Sequence, residues 1–211
     1  MFTGIVQAVG RIENVKAAGR TAALTIQAGQ LDLTDVAIGD SIACNGICLT
    51  VTGLKPDGFS VDVSPETLKL TAGLMPNAPI NLEKSLRLAD RLGGHLVTGH
   101  VDGSGEIRTV EPVEGNNEIT IRFPASLARY IARKGSIAVN GVSLTVNALA
   151  SDTFSVNLIP HTLAATNLGA LKPGDRVNLE IDLMARYVDR ILEASNAVPA
   201  QKSKPRSNRG K

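Results

Sequence analysis

NGICLTV (residues 45–51) returns as NGVSLTV (residues 140–146). Both copies keep the Asn-Gly pair, which tolerates positive φ and marks a tight turn, and both follow it with an alternating strand pattern. The main change is a thiol for a hydroxyl, Cys48 against Ser143. A turn and its strand need the apolar residues twice; they do not need this exchange.

Working outward at the same offset of 95 positions, Thr3-Gly4 meets Thr98-Gly99 and Val6 meets Val101. Further along, SIACNG (41–46) meets SIAVNG (136–141), and FSV (59–61) meets FSV (154–156). Pro65-x-Thr67-Leu68 meets Pro160-x-Thr162-Leu163, and after two extra residues INLE (80–83) meets VNLE (177–180). Two copies of this length are two domains rather than a solenoid. LTVTGL and SVDV alternate as half-buried strands do, and five or six short strands per copy predict a small closed barrel or sandwich. The stretch 125–135, ASLARYIARKG, predicts one short helix, with Leu127, Tyr130 and Ile131 on one face and Gly135 as its stop. Beyond the second copy, residues 183–197 place Leu183, Tyr187, Val188, Ile191 and Leu192 at helical spacing. That stripe is expected either to pack on the chain's own barrels or to pair with other subunits.

Of the 211 residues, 43% are hydrophobic and 20% charged, as in an ordinary globular protein, and the net charge of +2 predicts no strong pull toward nucleic acid or membrane. The basic segment 198–211 is expected to be a disordered tail, since a nucleic-acid arm would carry interleaved aromatics. No charged-then-apolar leader and no membrane-length apolar run is present, so a cytoplasmic protein is expected. In a straight strand Cys44 and Cys48 would stand about 13 Å apart, too far for a disulfide. Free thiols are expected.

At matched positions the titratable and nucleophilic residues diverge: Cys48 faces Ser143, Ile5 faces His100, Gly39 faces Lys134, Glu66 faces His161 and Ser85 faces Asp182. Each has a duller reading. Cys48 can be a small buried hydrophobe, Ser143, Thr50 and Thr145 can satisfy local backbone, and Asp182 can end a strand. His95 and His100, five apart, make no metal pattern, and no phosphate loop, dinucleotide fingerprint or serine-hydrolase elbow occurs. The residues alone describe a duplicated β-barrel protein with two similar, non-equivalent ligand sites.

MFTGIV, NGICLTV, SPETL, GGHLVTGHVDG, NGVSLTV and IPHTL, in this order, resemble the riboflavin synthase family, whose chains carry two lumazine-binding repeats. The resemblance runs from Met1 to about Asn196. It implies an all-β fold: two tandem six-stranded Greek-key barrels, 1–94 and 95–182, and a C-terminal amphipathic helix, 183–197, that joins three subunits. Each barrel is then expected to bind one 6,7-dimethyl-8-ribityllumazine. The implied reaction is a dismutation in which one lumazine gives a four-carbon unit to the other, yielding riboflavin and 5-amino-6-ribitylamino-uracil, without metal or cofactor. The site is expected where the N-terminal barrel of one subunit meets the C-terminal barrel of another. Docking onto a lumazine synthase shell stays open.

Carried over by motif, the N-terminal pocket is expected to use Gly4, Ile5, Val6, Ser41, Cys48, Leu49, Thr50, Asp62, Val63, Ser64, Pro65, Glu66 and Thr67. The C-terminal pocket is expected to use Gly99, His100, Val101, Lys134, Ser143, Leu144, Thr145, Asn157, Leu158, Ile159, Pro160, His161 and Thr162. Ser143 with Thr145 and Asp182 is expected to handle the methyl proton or the adding nucleophile, with His100 as a second acid–base group. Cys48 is expected to contact the partner lumazine, and Phe2 to cover a stacked ring. Two other classes compete. A non-catalytic lumazine or flavin carrier would be expected to let one copy decay, and here both keep their motifs. An oligonucleotide-binding barrel needs basic, aromatic strand faces that four Phe, two Tyr and no Trp hardly supply.

Overall fold

The computed structural model describes residues 1–197; the tail predicted at 198–211 lies outside the described residues. The first repeat contains strands β1 (Ala8–Ala18), β2 (Thr21–Gln27), β3 (Ser41–Cys44), β4 (Ile47–Lys55) and β5 (Gly58–Val63), helix α1 (Pro65–Leu70), and β6 (Pro79–Lys84). They close into an antiparallel barrel in the order β1-β2-β5-β4-β3-β6. Alternation explains the closure: Ala22, Leu24 and Ile26 of β2 point inward beside Val61 and Val63 of β5, Ile80 and Leu82 of β6 and Phe59, all in one core. Cys44 sits in this core, and burial pushes its thiol far above the ordinary range, so it is a hydrophobe. Both cysteines are free; they stand on the paired strands of one hairpin rather than on one straight strand, with Cys44 opposite Ile47 and Cys48 opposite Ala43.

The second repeat contains β7 (Gly103–Val113), β8 (Asn116–Arg122), β9 (Ser136–Val139), β10 (Val142–Thr145), β11 (Ala148–Leu149), β12 (Thr153–Leu158), helix α2 (Pro160–Ala165) and β13 (Arg176–Ile181). Its ladder runs β10-β9-β13-β7-β8-β12-β11 and does not close as a continuous sheet. The two expected barrels are present, the first closed and the second a half-barrel. β4 meets β5 through a bulge between Val51 and Gly53, and the matching stretch of the second repeat breaks into β10 and β11. The half-ring is still filled by a core of the same kind, with Ile119, Ile121, Val156, Leu158 and Leu179 inside.

The helix expected over 125–135 is a 3-10 turn over Ala125–Tyr130, and the backbone returns to extended geometry at Ile131. Leu127 and Ile131 are buried as the spacing predicts, but the chain has to reach β9 within a few residues. The helices α1 and α2 stand where Pro-x-Thr-Leu occurs in each copy. Proline occupies the first turn, and Ser64 caps α1 by accepting a hydrogen bond from the Thr67 N–H. Helix α3 (Leu183–Ala197) is tied to its own barrel by ion pairs, Arg186 to Asp102 at 2.6 Å and Arg129 to Asp189 and Glu193. Of its predicted apolar stripe Leu183 is half-buried, while Tyr187, Val188, Ile191 and Leu192, with Met184 beside them, stand exposed.

The repeats meet through main chain. The Asn45-Gly46 and Asn140-Gly141 turns, both left-handed, lie back to back. A Cβ on Gly46 would come 2.7 Å from the Gly141 nitrogen, and the reverse holds at the same distance. Buried asparagines seal the contact: Asn81 Nδ2 donates to the Asn140 carbonyl and Asn178 Nδ2 to the Asn45 carbonyl, each at 3.0 Å. Phe2 and Val97 exchange backbone hydrogen bonds of 2.8 and 3.1 Å and pack with Ala43 and Ala138. Phe2 is therefore fully buried between the barrels and does not face a ligand ring, contrary to expectation.

Gly46→Ala is expected to cost about 3 kcal/mol, because strain at positive φ adds to a main-chain clash. Gly19→Ala, also at positive φ but with nothing within 4 Å of its Cβ, should cost only about 1 kcal/mol. Denaturant midpoints of the two variants check the difference.

Candidate active site

Cys48 and Ser143 each stand two residues past one of the abutting turns, so β4 and β10 present them on either side of the contact. Strand alternation puts Cys48 with Thr50, and Ser143 with Thr145, on the faces turned away from the cores. The side chains of Leu49, Val63 and Leu158, also expected in the pockets, lie in the barrel cores, so only their main-chain groups can meet a ligand.

The segments before β1 and β7 change places. The Ser143 N–H donates to the Gly4 carbonyl, and the Cys48 N–H donates to the Gly99 carbonyl, both at 2.8 Å. Val6 packs on the second core and Val101 on the first. Gly4, Ile5 and Val6 thus belong beside Ser143, while Gly99, His100 and Val101 belong beside Cys48. This reverses the partition expected from the motifs. The two segments are copies of one another, so alignment cannot tell which barrel each one covers.

A pocket of about 210 Å³ opens beside Cys48, walled by Glu66, Thr67, Leu70, Gly99, His100 and Val101. Asp62, Ser64 and Pro65 lie just before this wall, at the end of β5 and the start of α1. Ser41 lines a separate, larger cleft of about 600 Å³ with Thr3, Ile5, Glu83 and Gly93. In the second repeat Asn157, Ile159, Pro160, His161 and Thr162 run from the end of β12 into α2 as the counterparts of 62–67. Leu144 packs against the second core, and Lys134, in left-handed conformation, donates its N–H to the Val146 carbonyl next to Thr145.

The pairing that sequence reasoning missed is His95 with Ser143: Nδ1 lies 2.7 Å from the serine oxygen. His95 is 9% exposed, and its Nε2 is buried without a hydrogen-bond partner among the described residues. Burial holds the imidazole below its ordinary value, while the charge of Asp182 pulls the other way. A neutral imidazole beside a hydroxyl is a proton acceptor next to a latent nucleophile. The readable signal was Gly93-Gly94 before the histidine. A Cβ on Gly94 would meet the Thr3 carbonyl oxygen at 2.2 Å and Ser143 Oγ at 2.8 Å, so only glycine lets this loop seat the ring. His100, the acid–base group expected from the motif, is exposed and stands at the Cys48 pocket. Asp182 lies between β13 and α3, and its carboxylate accepts the Met184 N–H at 2.9 Å. No group of three His, Cys, Asp or Glu side chains suited to a metal ion occurs among the described residues.

The lumazine binding domain family matches residues 3–85 and 98–182, one match per repeat. The chain belongs to the lumazine binding domain family. It is 45% identical over 194 residues to a riboflavin synthase of Actinobacillus pleuropneumoniae, covering 91% of this chain and 90% of the relative. A riboflavin synthase of Mycobacterium bovis is 47% identical over 201 residues, covering 92% of this chain and all of the relative. Among solved structures, LumP complexed with riboflavin superposes with a TM-score of 0.80 at 28% identity, over 86% of this chain and 99% of that one. LumP complexed with 6,7-dimethyl-8-(1'-D-ribityl) lumazine gives 0.77 at 27% identity, with the same coverage. No helix among the described residues is long and apolar enough to cross a membrane.

His95 is expected to titrate below the ordinary histidine value of about 6.5. Between its folded value and the ordinary one the unfolded chain binds more protons, so stability contributed by the neutral ring is present above that window and is lost as pH falls through it. Asp182→Asn removes the opposing charge and should lower the value further. The imidazole proton resonances, followed against pH in both proteins, measure both effects.

Proposed function

We propose that this protein is a riboflavin synthase, taking two molecules of 6,7-dimethyl-8-ribityllumazine to riboflavin and 5-amino-6-ribitylamino-uracil by transfer of a four-carbon unit. The observation that carries this reading is one frame built twice with different chemistry: a pocket-lining thiol in one repeat and a histidine-paired hydroxyl at the matched position of the other. Two identical substrate molecules that must act as donor and acceptor call for pockets alike in shape and unlike in reactivity. Holding both in register makes the encounter effectively intramolecular, which can lower a barrier by about 7–11 kcal/mol.

In this reading 1–94 and 95–182 are the two lumazine-binding barrels. Ser143 and His95 take up the acidic methyl proton of one lumazine or deliver a nucleophile to its ring, and Asp182 tunes the imidazole. Thr145 and Lys134 border the same pocket, and Cys48, Glu66, Thr67 and His100 hold the partner molecule. The reaction needs no metal or redox cofactor, because the electrons and carbons exchanged all come from the two substrates.

The protein works as a homotrimer joined through α3 (183–197), whose exposed stripe supports the assembly. The 210 Å³ pocket at Cys48 is below the roughly 300–1,000 Å³ of pockets that enclose a ligand, which supports a site finished by a second subunit. A cytoplasmic location is supported by the two free thiols.

Purified protein given the lumazine alone should form riboflavin over many turnovers. Binding without product would instead make it a lumazine carrier. Ser143→Ala should lower kcat by about 100-fold with a much smaller change in KM, the mark of a group acting in the transition state. A charge in the stripe, Ile191→Glu, should shift sedimentation from trimer to monomer and remove activity along with it.

A further inference from the structure

We propose that Glu83 and Glu180 are positioning residues that act crosswise: each holds, from its own barrel, the segment that completes the pocket of the other. The proposal rests on the reading of the two pockets as lumazine sites. Both carboxylates are buried, at 5% and 3% exposure, on the last strands of the two repeats, β6 and β13. Neither has a basic partner among the ion pairs of the described residues. Glu83 Oε1 accepts the Thr3 N–H and the Thr3 hydroxyl, both at 2.7 Å, and Oε2 accepts the Gly4 N–H at 3.0 Å. Glu180 repeats this with the Thr98 N–H and hydroxyl, both at 2.6 Å, and the Gly99 N–H at 2.9 Å.

A buried carboxylate without a cation is costly, and burial pushes both groups above the ordinary carboxylate range. These donors offset that cost, and all of them come from the two residues that lead into each crossing segment. From there the segment leaves the barrel that holds it. Gly99 lies so close to Cys48 that a Cβ on it would stand 2.6 Å from Cys48 Cβ, and Gly4 lies equally close to Ser143. Glu180 therefore governs the cover of Cys48 in the first repeat, and Glu83 governs the cover of Ser143 in the second. Glutamine keeps the shape but turns an amide N–H₂ toward a backbone donor, breaking one of the three bonds and leaving that donor unsatisfied.

Cys48 is half-buried under the Gly99 segment and Cys44 is fully buried, so alkylation of the native chain by iodoacetamide, followed by intact mass, reads the Cys48 cover alone. Glu180→Gln is expected to speed alkylation of Cys48 about tenfold, and Glu83→Gln to leave it within about twofold of the parent. Reciprocally, Glu83→Gln should move the His95 imidazole resonance while Glu180→Gln leaves it in place. Thr98→Val and Thr3→Val, which remove one donor from each latch, should give the same crossed pattern more weakly and serve if a glutamine variant fails to fold. Equal acceleration in both variants, acceleration by the same-barrel carboxylate Glu83, or no change in either overturns the proposal. These readouts use no substrate. A crossed pattern in a chain that makes no riboflavin would sink the functional reading and leave the latch standing, and the opposite result would do the reverse.

Discussion

The contact on which the rest depends is between two turns that present only main chain. Gly46 and Gly141 touch with no room for a Cβ on either side, and asparagine amides bind the carbonyls of the opposite turn. The asparagines also serve their own repeats: Asn45 Oδ1 accepts the Asn81 N–H and Asn140 Oδ1 accepts the Asn178 N–H, both at 2.8 Å. The asparagine side chains at the contact thus find partners on both sides, as buried polar groups require. Because β4 and β10 spring from these turns, the thiol and the hydroxyl are brought to the same contact from opposite repeats.

That closeness makes the exchange of the leading segments possible. Once the barrels abut, Phe2 and Val97 pair as a short antiparallel bridge, and each chain segment continues past the bridge onto the other repeat. Neither pocket is the property of one domain. The Cys48 pocket takes its wall from residues 99–101, and Ser143 lies under residues 4–6 and against His95, which stands in the link between the repeats. Duplication therefore supplied more than two binding barrels. It supplied a pair whose sites require each other's first residues.

Apart from the break between β10 and β11, the repeats share one frame and differ in a few side chains around the contact. The latching glutamates, the turn glycines and the Leu-Thr-Val strands are the same in both halves, whereas Cys48 and Ser143, Ile5 and His100, and Ser85 and Asp182 differ. A catalyst for two like molecules needs this division, because a shared frame sets their relative register and unlike groups assign their parts.

The β-barrel class, the duplication, the Asn-Gly turns and the helical stripe of α3 were legible in the sequence, because periodicity and turn chemistry are local properties of the chain. The exchange of Cys48 for Ser143 at matched positions was legible too, and the structure brings both to the contact between the repeats. The broken ladder between β10 and β11 was not, since Asn147-Ala148 reads as well for a bulge as for a gap. Nor was the short 3-10 turn at 125–130, where the apolar spacing is right but the distance to β9 leaves no space for a longer helix. His95 looked like half of a poor metal pair, and only the folding of the Gly93-Gly94 loop over Ser143 brings its ring to the hydroxyl. Which leading segment covers which pocket could not be read from two equivalent copies. It is decided by the packing of one barrel on the other, where buried carboxylates and main-chain contacts select a partner that no local signal names.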